Sequence, residues 1–202
     1  MRRFLFIYAG MLVVAAVLVR VSGAPSLFRA PETPALLWGP LAAAVALALA
    51  VVEAGKRLEG VDWYRRMAEY LRQVLTSPDL LGPRLDQEKA LVVAVYSSIA
   101  EEALFRGWLQ PVLIAALAGR LGEGLAATAA GIVAASLLFG LLHVPMVPEL
   151  RPWTAFAIVA GLLFGALAAW SGSLLAPIAA HFLINWLNLR RLAALRPAQG
   201  PV

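Results

Sequence analysis

Hydrophobic positions in this chain come in long runs rather than at helical or strand spacing. Six apolar stretches cover residues 4–19, 35–52, 90–118, 125–144, 153–170 and 173–187. A bilayer-spanning helix needs roughly 20 apolar residues, and with their flanks most of these stretches qualify. The pattern predicts an all-α, polytopic transmembrane bundle of about six spans enclosing a buried polar site. The third run is too long for one straight span. A break is expected between Gly107 and Pro111, giving a spanning helix and a short follow-on helix.

The first stretch also resembles a secretory signal, with a basic start and Ser22-Gly23-Ala24 in the manner of a cleavage site. Pro25 directly after that point and the length of the run favour a retained span. Between the second and third runs, residues 55–88 are polar. Within them Val61, Trp63, Tyr64, Met67, Tyr70, Leu71 and Leu75 recur at spacings of one, three and four, with Arg65, Arg66, Glu69 and Arg72 between. This predicts an amphipathic helix at the membrane interface, its Trp and Tyr at headgroup level. The tail 196–202 is expected to be disordered. The chain reads as one transmembrane domain, 1–202, with a motif-bearing core at about 90–190.

Composition agrees with the pattern. Hydrophobic residues are 61% of the 202 and charged ones 14%, against about 25% charged in soluble domains; the mean hydropathy is +0.79. The net charge of +5 and pI near 10.2 do not point to nucleic acid, because the basic residues flank the apolar runs, where lipid headgroups lie. With six spans and a cytoplasmic N-terminus, one side holds Arg2, Arg3, the basic residues of the 55–89 segment, Arg151, Arg190, Arg191 and Arg196. The other holds only Arg20, Arg29 and Arg120. That asymmetry is the positive-inside pattern and places both termini in the cytoplasm, in the plasma membrane of a prokaryote. The absence of cysteine excludes disulfides and thiolate chemistry.

Against this apolar background a few residues are out of place. Glu101, Glu102, Arg106, His143, His181 and Asn185 lie in or at the ends of spans, where an ionised group costs at least ~2.5–3.5 kcal/mol near the bilayer centre. Glu102 and Arg106 are four apart and share a helix face, as do His181 and Asn185. Arg106 can hold one carboxylate charged and leave the other as a base. Each feature alone has a structural reading, as a glue pair or an interhelical hydrogen bond. Together they point to one buried site. A carboxylate and a His can deprotonate water, and a second His with an Asn can stabilise an oxyanion. That describes acyl hydrolysis, peptide cleavage included. A Glu with two His could alternatively hold zinc as a three-ligand open site. The chain has no His-Glu-x-x-His; Asp62, Asp79 and Asp86 all lie in the polar segment; Ser97 and Ser98 lack a nucleophile-elbow context.

Three motifs occur in order: Glu101-Glu102-Ala-Leu-Phe-Arg106, Phe139-Gly-Leu-Leu-His143 and His181-Phe-Leu-Ile-Asn185. In this the chain resembles the CPBP family, the CAAX-type prenyl endopeptidases and bacteriocin-processing proteins also called Abi. Gly107, Gly172-Ser173-Leu174 and Pro177 fit the same likeness. The resemblance implies an intramembrane endopeptidase with Glu101 as general base, His143 acting with it on the water, and His181 and Asn185 as the oxyanion hole. It also implies that Glu102 and Arg106 orient and balance the site while Phe139 packs. The family has been described as glutamate-dependent and as metal-dependent; the glutamate mechanism without a cofactor is expected here, with zinc on Glu101, His143 and His181 as the alternative. The implied partner is a membrane protein or peptide substrate in the bilayer. The competing reading is a non-hydrolytic immunity, scaffold or proton-coupled membrane protein. Gly161-Leu-Leu-Phe-Gly165 is expected to serve helix packing.

Overall fold

A computed structural model describes residues 1–24, 29–78, 80–143 and 147–194. Pro25, Asp79 and the 196–202 tail, each given a reading above, lie outside the described residues. The described chain contains helices α1 (Arg2–Ser22), α2 (Pro34–Arg57), α3 (Asp62–Leu75), α4 (Gln87–Leu104), α5 (Gln110–Leu121), α6 (Leu125–Leu141), α7 (Arg151–Ser171) and α8 (Leu175–Ala194). A π-helical turn, Phe105–Leu109, joins α4 to α5, and a 3₁₀ turn, Pro148–Leu150, leads into α7. Each apolar stretch has become helix, because a chain in lipid must satisfy its backbone polar groups internally.

Local chemistry sets the helix ends. Thr33 caps α2, its hydroxyl accepting from the Leu36 amide at 3.3 Å, with Pro34 in the first turn where its missing N–H costs nothing. Asp86 caps α4 by accepting from the Lys89 amide at 2.8 Å. Gly23 ends α1 at φ 65° and Gly172 ends α7 at φ 61°, left-handed positions that favour glycine. The run resembling a cleavage site is thus the C-terminal cap of a helix that packs along α4.

Three helical segments, Arg2–Ser22, Pro34–Arg57 and Pro148–Ser171, are long and apolar enough to cross a membrane by themselves. The other three apolar stretches form helices as well. Of these, α6 is apolar but 17 residues long, while α4 and α8 carry the polar residues of the site. The outer faces are apolar: Phe6, Val21, Trp38, Leu125 and Leu142 are each more than 60% exposed, the composition a lipid-facing surface requires. α3 matches the amphipathic expectation, burying Met67 and Ala68 while exposing Arg65, Arg66 and Trp63.

The expected break near Gly107 is a π turn instead. The Gln110 amide donates to the Phe105 carbonyl, five residues back, so the helix continues with one residue inserted rather than opening. Pro111 is tolerated because it falls in the first turn of α5.

α8 packs on α4, α2 and α7, α4 lies against both α1 and α8, and α6 pairs with α5 and α7. Close approach depends on small residues. Ala44, Ala48, Ala160, Ala176 and Ala180 line the α2–α7–α8 core with Phe164 and Ile184. A Cβ added to Gly131 of α6 would lie 2.4 Å from an Ile114 side-chain carbon and 3.0 Å from its backbone nitrogen in α5. In a bilayer such contacts replace the hydrophobic effect as the source of helix association. Gly131→Ala is therefore expected to destabilise the detergent-solubilised protein by about 1–3 kcal/mol, the usual cost of overpacking. Gly10→Ala on α1, with nothing within 4 Å of an added Cβ, is expected to be neutral or slightly stabilising. Thermal unfolding of the two variants checks the contrast.

Candidate active site

The last turn of α4 places Glu101 and Glu102 side by side in the interior, 8% and 0% exposed. Arg106 follows in the π turn and is fully buried. Its Nη1 donates to Glu102 Oε1 at 3.1 Å, and its Nη2 donates to the Gly161 carbonyl of α7 at 3.1 Å. The guanidinium carbon sits 4.5 Å from the Phe139 ring centroid and 5.5 Å from that of Phe164. A desolvated cation gains most from such faces, so an ion pair, a carbonyl and two rings jointly offset its burial.

His181 of α8 joins the same carboxylate. Its Nδ1 donates to Glu102 Oε1 at 2.8 Å, and its Nε2 lies 3.8 Å from Glu101 Oε2. The imidazole stacks on Phe164 with centroids 5.0 Å apart. Glu102 is therefore a hub, one oxygen shared by Arg106 and His181. Glu101 is held differently: the Tyr8 hydroxyl of α1 donates to its Oε1 at 3.0 Å. Among the described residues, Oε2 of Glu101, Oε2 of Glu102 and Nε of Arg106 are buried without a hydrogen-bond partner. Buried polar atoms are nearly always paired, so three orphans on adjacent side chains leave this cluster with unmet hydrogen-bonding capacity.

The remaining two candidates stand at the edges of this cluster. Asn185, one turn beyond His181, donates to Ser97 Oγ at 3.1 Å, one turn before Glu101 on α4. His143 follows the end of α6, where Nδ1 donates to the Phe139 carbonyl at 2.8 Å and its own carbonyl accepts from Thr154. That leaves Nε2 as the free ring nitrogen. The His143 ring rests on Phe139, which in turn contacts Phe105, Arg106 and His181. Glu102, Arg106 and His181 are therefore hydrogen-bonded together with Glu101 3.8 Å from His181; His143 reaches this cluster through the Phe139 ring, and Asn185 is tied to Ser97, one turn before Glu101.

No group of three or more His, Cys, Asp or Glu side chains suited to holding a metal ion occurs among the described residues. The alternative zinc set of Glu101, His143 and His181 is not gathered in this arrangement: Glu101 and His181 face each other, while His143 is tied to its own helix end.

Sequence reasoning missed Tyr8, Ser97, Gln110 and Phe164. Gln110, buried in the first turn of α5, donates to the Gly165 carbonyl at 3.1 Å, so Arg106 and Gln110, four apart, reach carbonyls four apart on α7. Gly161 and Gly165 thereby pack within the chain, and an added Cβ at Gly161 would lie 3.1 Å from Arg106 Nη2. The available signal was polarity, since Tyr8 is the one polar side chain in residues 4–19.

Residues 89–187 match the family model described as type II CAAX prenyl endopeptidase Rce1-like. That segment is similar to this family, as the order of its three polar motifs leads one to expect. The Rce1-like segment runs from α4 into α8, just under half of the chain, and contains all six polar candidates. The chain is also 34% identical over 90 residues to the "Uncharacterized protein YpbD" of Bacillus subtilis (strain 168), a match covering 44% of this chain and 37% of that protein. The chain thus matches well under two thirds of that relative's length. No solved structure matches this one. The likeness to the Rce1-like family and the long apolar helices mark this as a membrane protein.

Removing one partner of a buried ion pair costs about 3–5 kcal/mol because the other charge is stranded. Arg106→Met is expected to lower the thermal midpoint sharply. Adding Glu102→Gln to it is expected to recover part of that loss, which thermal unfolding of the single and double variants measures.

Proposed function

We propose that the protein is an intramembrane endopeptidase of the CAAX type, which hydrolyses a peptide bond of a membrane-associated protein or peptide with a water activated by Glu101. The observation that carries this reading is the buried cluster of Glu101, Glu102, Arg106 and His181 inside the family-matching segment. In it Glu102 is committed to charge balance with Arg106 and His181, whereas Glu101 is held on Oε1 by the Tyr8 hydroxyl and its Oε2, 3.8 Å from His181 Nε2, accepts no hydrogen bond.

Glu102 is engaged by both Arg106 and His181, which suits it to fixing the site rather than reacting. Glu101 Oε2 takes the proton of the attacking water, and the free Nε2 of His143 acts as the second group on that water. Attack on the carbonyl carbon forms a tetrahedral oxyanion. The second Nδ2 hydrogen of Asn185 and His181 Nε2, the latter as a donor only with a proton there in addition to the one that Nδ1 gives Glu102, stabilise it in a low-dielectric interior, where oriented donors are worth most. Collapse breaks the C–N bond, and the proton held by Glu101 passes to the leaving amine. The family description favours a prenylated C-terminal tail as substrate. The basic-residue asymmetry supports a multi-pass plasma-membrane protein with both termini cytoplasmic.

The test uses purified protein in detergent and an internally quenched peptide ending in a farnesylated CAAX sequence. Glu101→Gln, His143→Ala and His181→Ala are each expected to lower kcat by about 10²-fold or more while the protein stays folded. Turnover is expected to survive chelators such as EDTA. Full activity in folded Glu101→Gln and His143→Ala variants defeats the reading. Activity lost to a chelator and restored by Zn²⁺ replaces the glutamate mechanism with a metal one.

A further inference from the structure

Tyr8 lies far from the matched segment in sequence, yet its hydroxyl donates to the carboxylate assigned above as the base. α1 runs along α4, and the Tyr8 ring is wedged beside Phe4 with centroids 4.5 Å apart. Phe4 is itself buried in the core that α1 shares with α3, α4 and α8. The phenol therefore has a fixed approach to Glu101 rather than a swinging one.

The consequence lies in the two oxygens of Glu101. A carboxylate turns through a broad, roughly two-fold torsion, so an unanchored Glu101 would spread its lone pairs over many directions. Tyr8 occupies Oε1. Oε2 is left buried, without a hydrogen bond, 3.8 Å from His181 Nε2. We infer that Tyr8 is a positioning residue for catalysis: by holding Oε1 of Glu101 it selects Oε2 as the basic oxygen and aims it at the His181 side of the site, so that α1 completes an active site otherwise built from α4, α6 and α8. This inference rests on the glutamate reading proposed above. Asn185 and Ser97 form a similar hydrogen bond, but within the family-matching segment and off the reacting carboxylate.

Tyr8→Phe tests it, because the ring packing on Phe4 is kept and only the donor is lost. With the farnesylated CAAX-type peptide, kcat is expected to fall about ten-fold, the worth of one charge-assisted hydrogen bond, with KM unchanged. Tyr8→Phe turning over at the wild-type rate, while Glu101→Gln in the same assay is inactive, overturns the role of Tyr8 and leaves the peptidase reading intact. Glu101→Gln at the wild-type rate overturns both. A double-mutant cycle of Tyr8→Phe and Glu101→Gln on thermal unfolding in detergent reads the contact without any substrate. The loss in the double variant is expected to be smaller than the sum of the single losses, and strict additivity overturns the inference.

Discussion

A fully buried guanidinium is the constraint from which the rest of the bundle follows. Arg106 remains charged under all ordinary conditions, so its neighbours must supply what water would. Glu102 gives the opposite charge, the Gly161 carbonyl accepts a second N–H bond, and Phe139 and Phe164 cover its faces. These groups come from α4, α6 and α7. Meeting them brings three helices close enough that Gly161 has no room for a Cβ without pressing on Arg106 and Ser136. His181 then has a docking place, because the Glu102 oxygen that balances Arg106 also accepts from its imidazole. Each partner lowers the cost of burying the others, and none has a reason to be there alone.

The π turn at Phe105–Leu109 is the backbone expression of the same constraint. Arg106 lies within it, and Gln110, the first residue after it, reaches the next glycine carbonyl of α7. An inserted residue turns the following helix by about 100° relative to the preceding one, so α5 faces α6 while α4 keeps its contacts with α1 and α8. Single π turns concentrate at functional sites. Here one begins four residues after the proposed base, separating the face that binds charge from the face that packs on α6.

Two carboxylates one residue apart can serve different purposes only if their surroundings differ. Glu102 holds a cation and an imidazole on Oε1, while its Oε2 has no hydrogen-bond partner. Glu101 holds a phenol on Oε1, and its Oε2, also without a hydrogen bond, lies 3.8 Å from His181 Nε2. That difference in what each Oε1 holds, a cation and an imidazole against a phenol, is what the proposed division of roles between the two carboxylates rests on. It is assembled from elements as distant in the chain as α1 and α8.

Much of this protein was legible before any coordinates. Long apolar runs leave helix as the only backbone solution in lipid, so α1, α2, α6, α7 and α8 were readable. The spacing of Val61 to Leu75 announced α3. Glu101, Glu102, Arg106 and His181 stood out because a charge in an apolar run needs a partner, and four-residue spacing named one of the pairs. Spacing within a helix is local, however, and a hydrogen bond between helices is not. No periodicity tells which residue of α1 lies opposite Glu101, that Glu102 rather than Glu101 receives His181, or that Asn185 meets Ser97. The π turn escaped for a related reason: Gly107 and Pro111 signal a disturbed helix, while whether it breaks or bulges depends on the neighbours waiting for Arg106 and Gln110. The sequence by itself determined the solvent, the helices and the charged residues that had to be paired, since these follow from transfer free energies along the chain. Only the tertiary structure decided who pairs with whom, because that depends on helix register and close approach, which the small residues permit but do not specify.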